Sequence, residues 1–432
     1  MIEARQDAAG PDLRISARFD RRTYPAASDP IATLLVEVEP IAKPSGDETD
    51  KIPAEIHLVL DVSGSMSQPN RYERVEQALR VLAENVHPAD SVAISVFSDR
   101  AHTVLPPTPG EKFGRGIALT LQAIRNSPPF FGQATMLSVG LAPAIAAMRL
   151  AAHKRAARRI YVLTDGELHD STACASLSRE IASLGADYQI FGFGPGFNAE
   201  QLFDLVKEVP GGAAKPLIDT AQVVETFTHI AGTSRRIAAL NLSLAIHFAE
   251  EVVTGDAFSF RPRARHLGRI RDRESRVVVA SLELGRKYAF VYELRLPESE
   301  PGIWVPAAIS ATWEQAGAPQ SRTVAVEIER TEGAAEAEPD PEVARGYELV
   351  RGLRDRDRGT QITSVTSRIQ LCEAEGRERA LMDALRRQLE ALESGGDESS
   401  LSDADRKYIR CDEQSVTIGM LGLDGGAPEK ST

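Results

Sequence analysis

Between residues 54 and 235 short apolar runs alternate with longer amphipathic stretches, and this alternation limits the fold more than any other feature of the chain. The strand-like runs are 55–60, 91–97, 158–164, 187–193 and 214–218; the helix-like stretches are 71–86, 113–125, 137–152, 171–184, 198–208 and 220–235. Runs such as Leu58-Val-Leu60 and Ile160-Tyr-Val-Leu163 are apolar at consecutive positions, so both of their faces need cover. That pattern belongs to strands of a mostly parallel sheet with helices on both sides. The expected fold class is α/β, with a doubly wound open sheet over 54–235. In such sheets ligands bind beyond the carboxyl ends of the strands, near the point where the strand order reverses.

The flanks follow a different period. Leu13-Arg-Ile15-Ser-Ala17-Arg-Phe19 and Thr33-Leu-Leu-Val36-Glu-Val38, within an N-terminal segment of 12–50, place arginine, serine or glutamate between apolar residues. The same two-residue alternation returns over 237–330, in 239–248, 275–284, 287–296, 302–313 and 321–329. Alternation of this kind gives sheets with one dry and one wet face. We expect the two flanks to build one β-sandwich into which the α/β unit is inserted. An acidic linker follows over 331–341, with Pro339 and Pro341. Helical patterning then covers 342–394, where Met382, Leu385, Leu389 and Leu392 form a short apolar seam suited to packing on its own chain or on a partner helix. The remainder, 395–432, reads as a flexible acidic tail, interrupted by Ser415-Val-Thr-Ile-Gly-Met-Leu421, which could add a strand to a sheet edge.

The chemistry concentrates at three strand-to-helix transitions. Asp61-Val-Ser63-Gly-Ser65 follows the run ending at Leu60 and sets a carboxylate and two hydroxyls at alternate positions. Thr135 precedes the helical pattern from 137, and Asp165 follows the run ending at Thr164. Five oxygen donors and no thiolate or imidazole form a set suited to a small hard cation, magnesium before manganese or calcium. Each residue also has an ordinary use, the carboxylates as helix caps and the hydroxyls as partners for loop backbone. Capping, however, does not require the three segments to converge.

Asp61-x-Ser63-x-Ser65 with Thr135 and Asp165 resembles the metal-ion-dependent adhesion site of von Willebrand factor A domains, over about residues 54–235 and of the intracellular bacterial type. The resemblance implies that Ser63, Ser65 and Thr135 bind the metal directly and that Asp61 and Asp165 bind it directly or through water. With few anionic ligands the ion stays under-neutralised, so a partner's Asp or Glu can complete its coordination. The implied function is a non-enzymatic interaction module. By family likeness it is an adaptor for an ATPase of the MoxR or chelatase kind, or a component working beside kinases and phosphatases. A surface adhesin and a metal-dependent hydrolase are the alternatives.

Bulk properties fit this reading. A net charge of −12 argues against a general nucleic-acid binder, which would carry a basic face. The first residues lack the apolar core of a signal peptide, no run reaches the length of a membrane span, and Cys174, Cys372 and Cys411 have no metal-site spacing, so a cytoplasmic setting is expected. His169 is the one histidine close in sequence to the motif and reads as a loop or rim residue. Gly192-Phe-Gly194-Pro-Gly196 lacks the spacing of a phosphate loop. The basic stretch from Arg261 to Arg276 is diluted by Asp272 and Glu274 and reads as a solvated face, with an anionic partner as the alternative.

Overall fold

A computed structural model describes residues 13–41, 52–67, 71–127, 134–151, 155–165, 168–193, 198–206, 209, 212–217, 220–234, 236–261, 265–315, 318–333, 338–353, 357–375, 379–406, 409 and 419–420. The polar break at 43–51, the glycines Gly194 and Gly196, Cys411 and most of the tail beyond 409 lie outside the described residues. The chain opens with β1 (Leu13–Phe19), β2 (Thr23–Pro25) and β3 (Ile31–Pro40). There follow β4 (Ala54–Asp61), α1 (Arg71–Asn85), β5 (Ser91–Phe97), β6 (Ala101–Pro109), α2 (Gly110–Arg125), α3 (Leu137–Leu150) and β7 (Ala157–Thr164). Next come α4 (Ser171–Ser183), β8 (Ala186–Phe193), α5 (Ala199–Val206), β9 (Ala213–Leu217) and α6 (Thr220–Ser234).

These central strands form one sheet in the order β6-β5-β4-β7-β8-β9, parallel throughout except for β6. Every residue of β4 is buried, because each face of the sheet carries its own helical layer. Leu58, Leu60, Tyr161 and Phe191 pack with Val75, Leu79, Phe113 and Phe227 from α1, α2 and α6. Val59, Val162 and Ile190 pack with Leu141, Ile145, Ile181 and Leu202 from α3, α4 and α5. The chain steps from β4 to β5 on one side and later returns to β7 on the other, so the strand order reverses at β4. Strand β6 is absent from the sequence-based expectation. Pro106, Pro107 and Pro109 cannot donate to a ladder, and they are accommodated because β6 is the sheet's edge.

The chain continues through β10 (Ile237–Phe248), β11 (Val253–Arg261), β12 (Arg265–Arg269), β13 (Glu274–Glu283), β14 (Tyr288–Arg295), β15 (Gly302–Gln315) and β16 (Ala318–Thr331). It ends with α7 (Pro341–Arg351), α8 (Arg358–Glu375), α9 (Arg379–Glu393) and the short β17 (Gly419–Met420). Two further sheets result, in the orders β1-β3-β14-β11-β12 and β17-β13-β10-β15-β16-β2. Each combines strands from before and after the parallel sheet, which is therefore an insertion between the pieces of a sandwich. The alternating residues Leu34, Val36, Phe290 and Tyr292 of one sheet share a core with Leu242, Leu244, Val277 and Ile309 of the other. Of the arginine-rich stretch, Arg261 ends β11, Arg265–Arg269 form β12, and a turn with Asp272 and Arg273 at positive φ leads into β13. Within this stretch Arg273 pairs with Glu250 at 3.4 Å and Arg276 with Glu274 at 2.9 Å.

Helix α7 lies on the outer face of the first sandwich sheet, where Val343, Leu349 and Val350 meet Leu35, Phe258 and Val291. Asp340 caps it by accepting from the backbone of Glu342 and Val343, and Arg18 ties it down through Glu37, Asp340 and Glu342. Leu385 and Leu392 of the apolar seam are buried against Val365, Ile369 and Leu401, with Met382 and Leu389 at the margin. The seam thus packs on its own chain. The two residues of β17 pair with Val277 and Val278 on the edge of β13. Among the described residues no helix is long and apolar enough to cross a membrane.

A polar contact joins the parallel sheet to the sandwich. Ser281 on β13 donates to Asp187 on β8 at 2.9 Å, and the buried Arg159 lies 3.7 Å from the same carboxylate. Burial pushes the Asp187 carboxyl up to about 6, with Arg159 opposing. A carboxyl held more basic in the folded chain binds its proton there first, so this group's contribution is full below about pH 4 and is lost as pH rises through 6. Relative to Asp187→Asn, the parent chain is expected to gain on the order of 2 kcal/mol between pH 7 and pH 4.5 in urea unfolding.

Candidate metal centre

The three donor segments meet at the carboxyl ends of β4, β5 and β7. Asp61 is the last residue of β4, and Ser63 follows it. Ser65 stands in a 3₁₀ turn over Gly64–Ser67. Asp165 comes directly after β7, which pairs with β4 in parallel, Leu60 beside Leu163. Thr135 lies two residues before α3. Chain connections draw these segments together. Thr164 Oγ1 donates to Asp61 Oδ2 at 2.6 Å, and the Ser63 amide donates to Asp61 Oδ1 at 2.8 Å. The Val62 amide donates to the carbonyl of Phe97 at the end of β5. One residue on, Ser98 Oγ donates to the Ala134 carbonyl at 2.9 Å while the Ser98 carbonyl accepts from Met136. Asp61, Asp165, Ser63 and Thr135 are 1%, 3%, 3% and 4% exposed.

This arrangement decides what the donors can hold. Two carboxylates buried at the ends of neighbouring strands make an electrostatic demand that a divalent cation meets at modest ligand charge. The hydroxyls of Ser63 and Thr135 are buried in the same rim and supply neutral oxygen. The donor set therefore fits a magnesium-like ion and offers nothing for a soft metal. Asp61 is oriented by bonds to both of its oxygens, as a carboxylate must be to hold an ion or its bound water in one place.

Residues 56–167 match the family model of the von Willebrand factor type A domain. The chain carries a von Willebrand factor type A domain. Its architecture is similar to that of a von Willebrand factor type A protein from Catenulispora acidiphila, with a TM-score of 0.70 at 13% identity, covering 95% of this chain and 99% of that one. The ArnB paralog VWA2 from Sulfolobus acidocaldarius gives a TM-score of 0.54 at 14% identity, over 92% of this chain and 96% of that one. At such identities the likeness is one of fold. No curated protein matches the chain.

Some residues that hold this rim together escape motif reading. Thr164 and Ser98 are single hydroxyls at strand ends, and their only sequence signal is a small polar residue closing an apolar run beside Asp61 in the sheet order. His169 is exposed, as its position outside the motif suggested, but its ring has a defined use. The Thr135 amide donates to His169 Nδ1 at 3.2 Å, and the His169 amide donates back to the Thr135 carbonyl at 3.0 Å. The Cys174 thiol is buried, and burial with the Asp170 carboxylate beside it pushes its pKa far up. It is a packing residue in α4.

Proposed function

We propose that the type A domain is a non-enzymatic, cytoplasmic interaction module that grips a carboxylate of a partner protein through magnesium held by Asp61, Ser63, Ser65, Thr135 and Asp165. The observation that carries the reading is the convergence of the Asp61, Thr135 and Asp165 segments at the strand ends where the sheet order reverses. When bound, the cation supplies an electrophilic centre with coordination to spare. The rest falls to the chain's own groups. Asp61 is held by the Ser63 amide and the Thr164 hydroxyl, so its carboxylate would keep one orientation toward a bound cation as a partner's carboxylate approached. His169 spends Nδ1 on the Thr135 amide, which makes it a brace and not a base. The partner is a protein presenting Asp or Glu, with an ATPase of the MoxR kind or a kinase or phosphatase system as the candidate settings.

The test is retention of partners from native extract by the full chain in magnesium, beside chelator and an Asp61→Ala/Ser63→Ala variant. Partners held by the intact chain in magnesium alone are the expected result. The same partners in all three arms would end the metal-bridged reading.

A further inference from the structure

The segment carrying Thr135 has no cap of its own. The residue before α3 is Met136, whose thioether is a weak acceptor and makes no capping bond, so the first amides of the helix need partners from elsewhere. Asp170, more than thirty residues along the chain, supplies them. Its Oδ1 accepts from the Leu137 amide at 3.0 Å and its Oδ2 from the Ser138 amide at 2.8 Å. His169 adds the reciprocal pair of bonds to the Thr135 backbone described above. Four hydrogen bonds from two consecutive residues therefore join His169 and Asp170 to Thr135 and to the first turn of α3. The segment carrying His169 and Asp170 is itself anchored from behind. Gln201 on α5 accepts from the Leu168 amide at 3.0 Å and donates to the Leu168 carbonyl and the Ser171 hydroxyl, each at 2.7 Å.

We propose, on the metal reading given above, that Asp170 is a positioning residue of the cation site, which with His169 locks the Thr135 donor to the Asp165 donor and so sets metal affinity. The carboxylate suits the task twice. It fits two adjacent amides at once, and its charge faces the positive end of the α3 dipole. Asparagine at 170 keeps the size but turns an N–H toward an N–H, which frees one amide and loosens Thr135. Acting through Thr135, the change reaches the metal without removing any ligand. Partners of metal ligands typically weigh about 10- to 100-fold in affinity.

Manganese binding to the full chain, read from the electron paramagnetic resonance signal of free Mn²⁺, tests this beside unfolding of the metal-free proteins. Asp170→Asn is expected to bind Mn²⁺ about 10- to 100-fold more weakly. His169→Ala, on the exposed rim and expected to fold, is expected to lose about 10-fold and decides the matter should the Asp170 variant fail to fold. A purely structural cap would lower the metal-free unfolding midpoint and leave the Mn²⁺ affinity at the parent value. Parent affinity in both variants would overturn this proposal alone, whereas a parent chain that binds no Mn²⁺ would remove the metal reading itself.

Discussion

Replacing Phe290 with alanine is expected to cost about 3–5 kcal/mol of folding stability, read as a fall in the urea midpoint at unchanged slope. Phe290 is fully buried at the centre of the sandwich. It sits on β14, with Val36 of β3 beside it on one side and Ser259 of β11 on the other. Strands from both flanks of the inserted sheet thus close over one ring, and its loss leaves a void lined by side chains from distant parts of the chain. Against a net stability of roughly 5–15 kcal/mol, that loss brings the chain close to unfolding. A change below about 1 kcal/mol would mean that the two flanks do not share a core.

Removing Asp61 and Ser63 together is expected to weaken magnesium binding by more than about 100-fold, since even the outer partners of metal ligands carry 10- to 100-fold. Asp61→Asn separates charge from shape. The amide can still accept from Ser63 and can donate to Thr164 Oγ1, so the local fold holds while the negative charge is gone. Titration calorimetry should show weak binding in Asp61→Asn with a near-parental unfolding midpoint. Parental affinity in the Asp61→Ala/Ser63→Ala variant would place the ion elsewhere.

Much of this molecule is legible in the chain because its two folding periods differ. Runs apolar on every residue, such as Leu58 to Leu60, announced buried parallel strands, and the alternation around Leu13–Phe19 and Tyr288–Arg295 announced a sandwich. Asp61, Ser63 and Asp165 stand at the ends of β4 and β7 because that is where a β/α unit turns, and turns accept short polar residues. Thr135 departs from the strand-to-helix expectation: it lies between α2 and α3 and reaches the same rim through the bonds of its neighbours Ala134 and Met136 to Ser98. The expectation failed where local chemistry and tertiary place disagree. Strand β6 carries prolines that only an edge forgives, and β11 and β12 carry arginines whose partners, such as Glu37 and Glu342 for Arg261, come from elsewhere in the chain. Asp170 escaped notice for the same reason. Its partners, Leu137 and Ser138, are neighbours in space alone, and one sequence does not report that distance.

The most direct measurement is thermal unfolding of the parent chain in magnesium and in chelator. An ion that binds the folded site and not the unfolded chain adds about 2.7 kcal/mol at one hundred times its dissociation constant. The account predicts a midpoint that climbs with magnesium concentration in the parent and stays flat in Asp61→Ala/Ser63→Ala. Equal midpoints for the parent with and without the ion would contradict it.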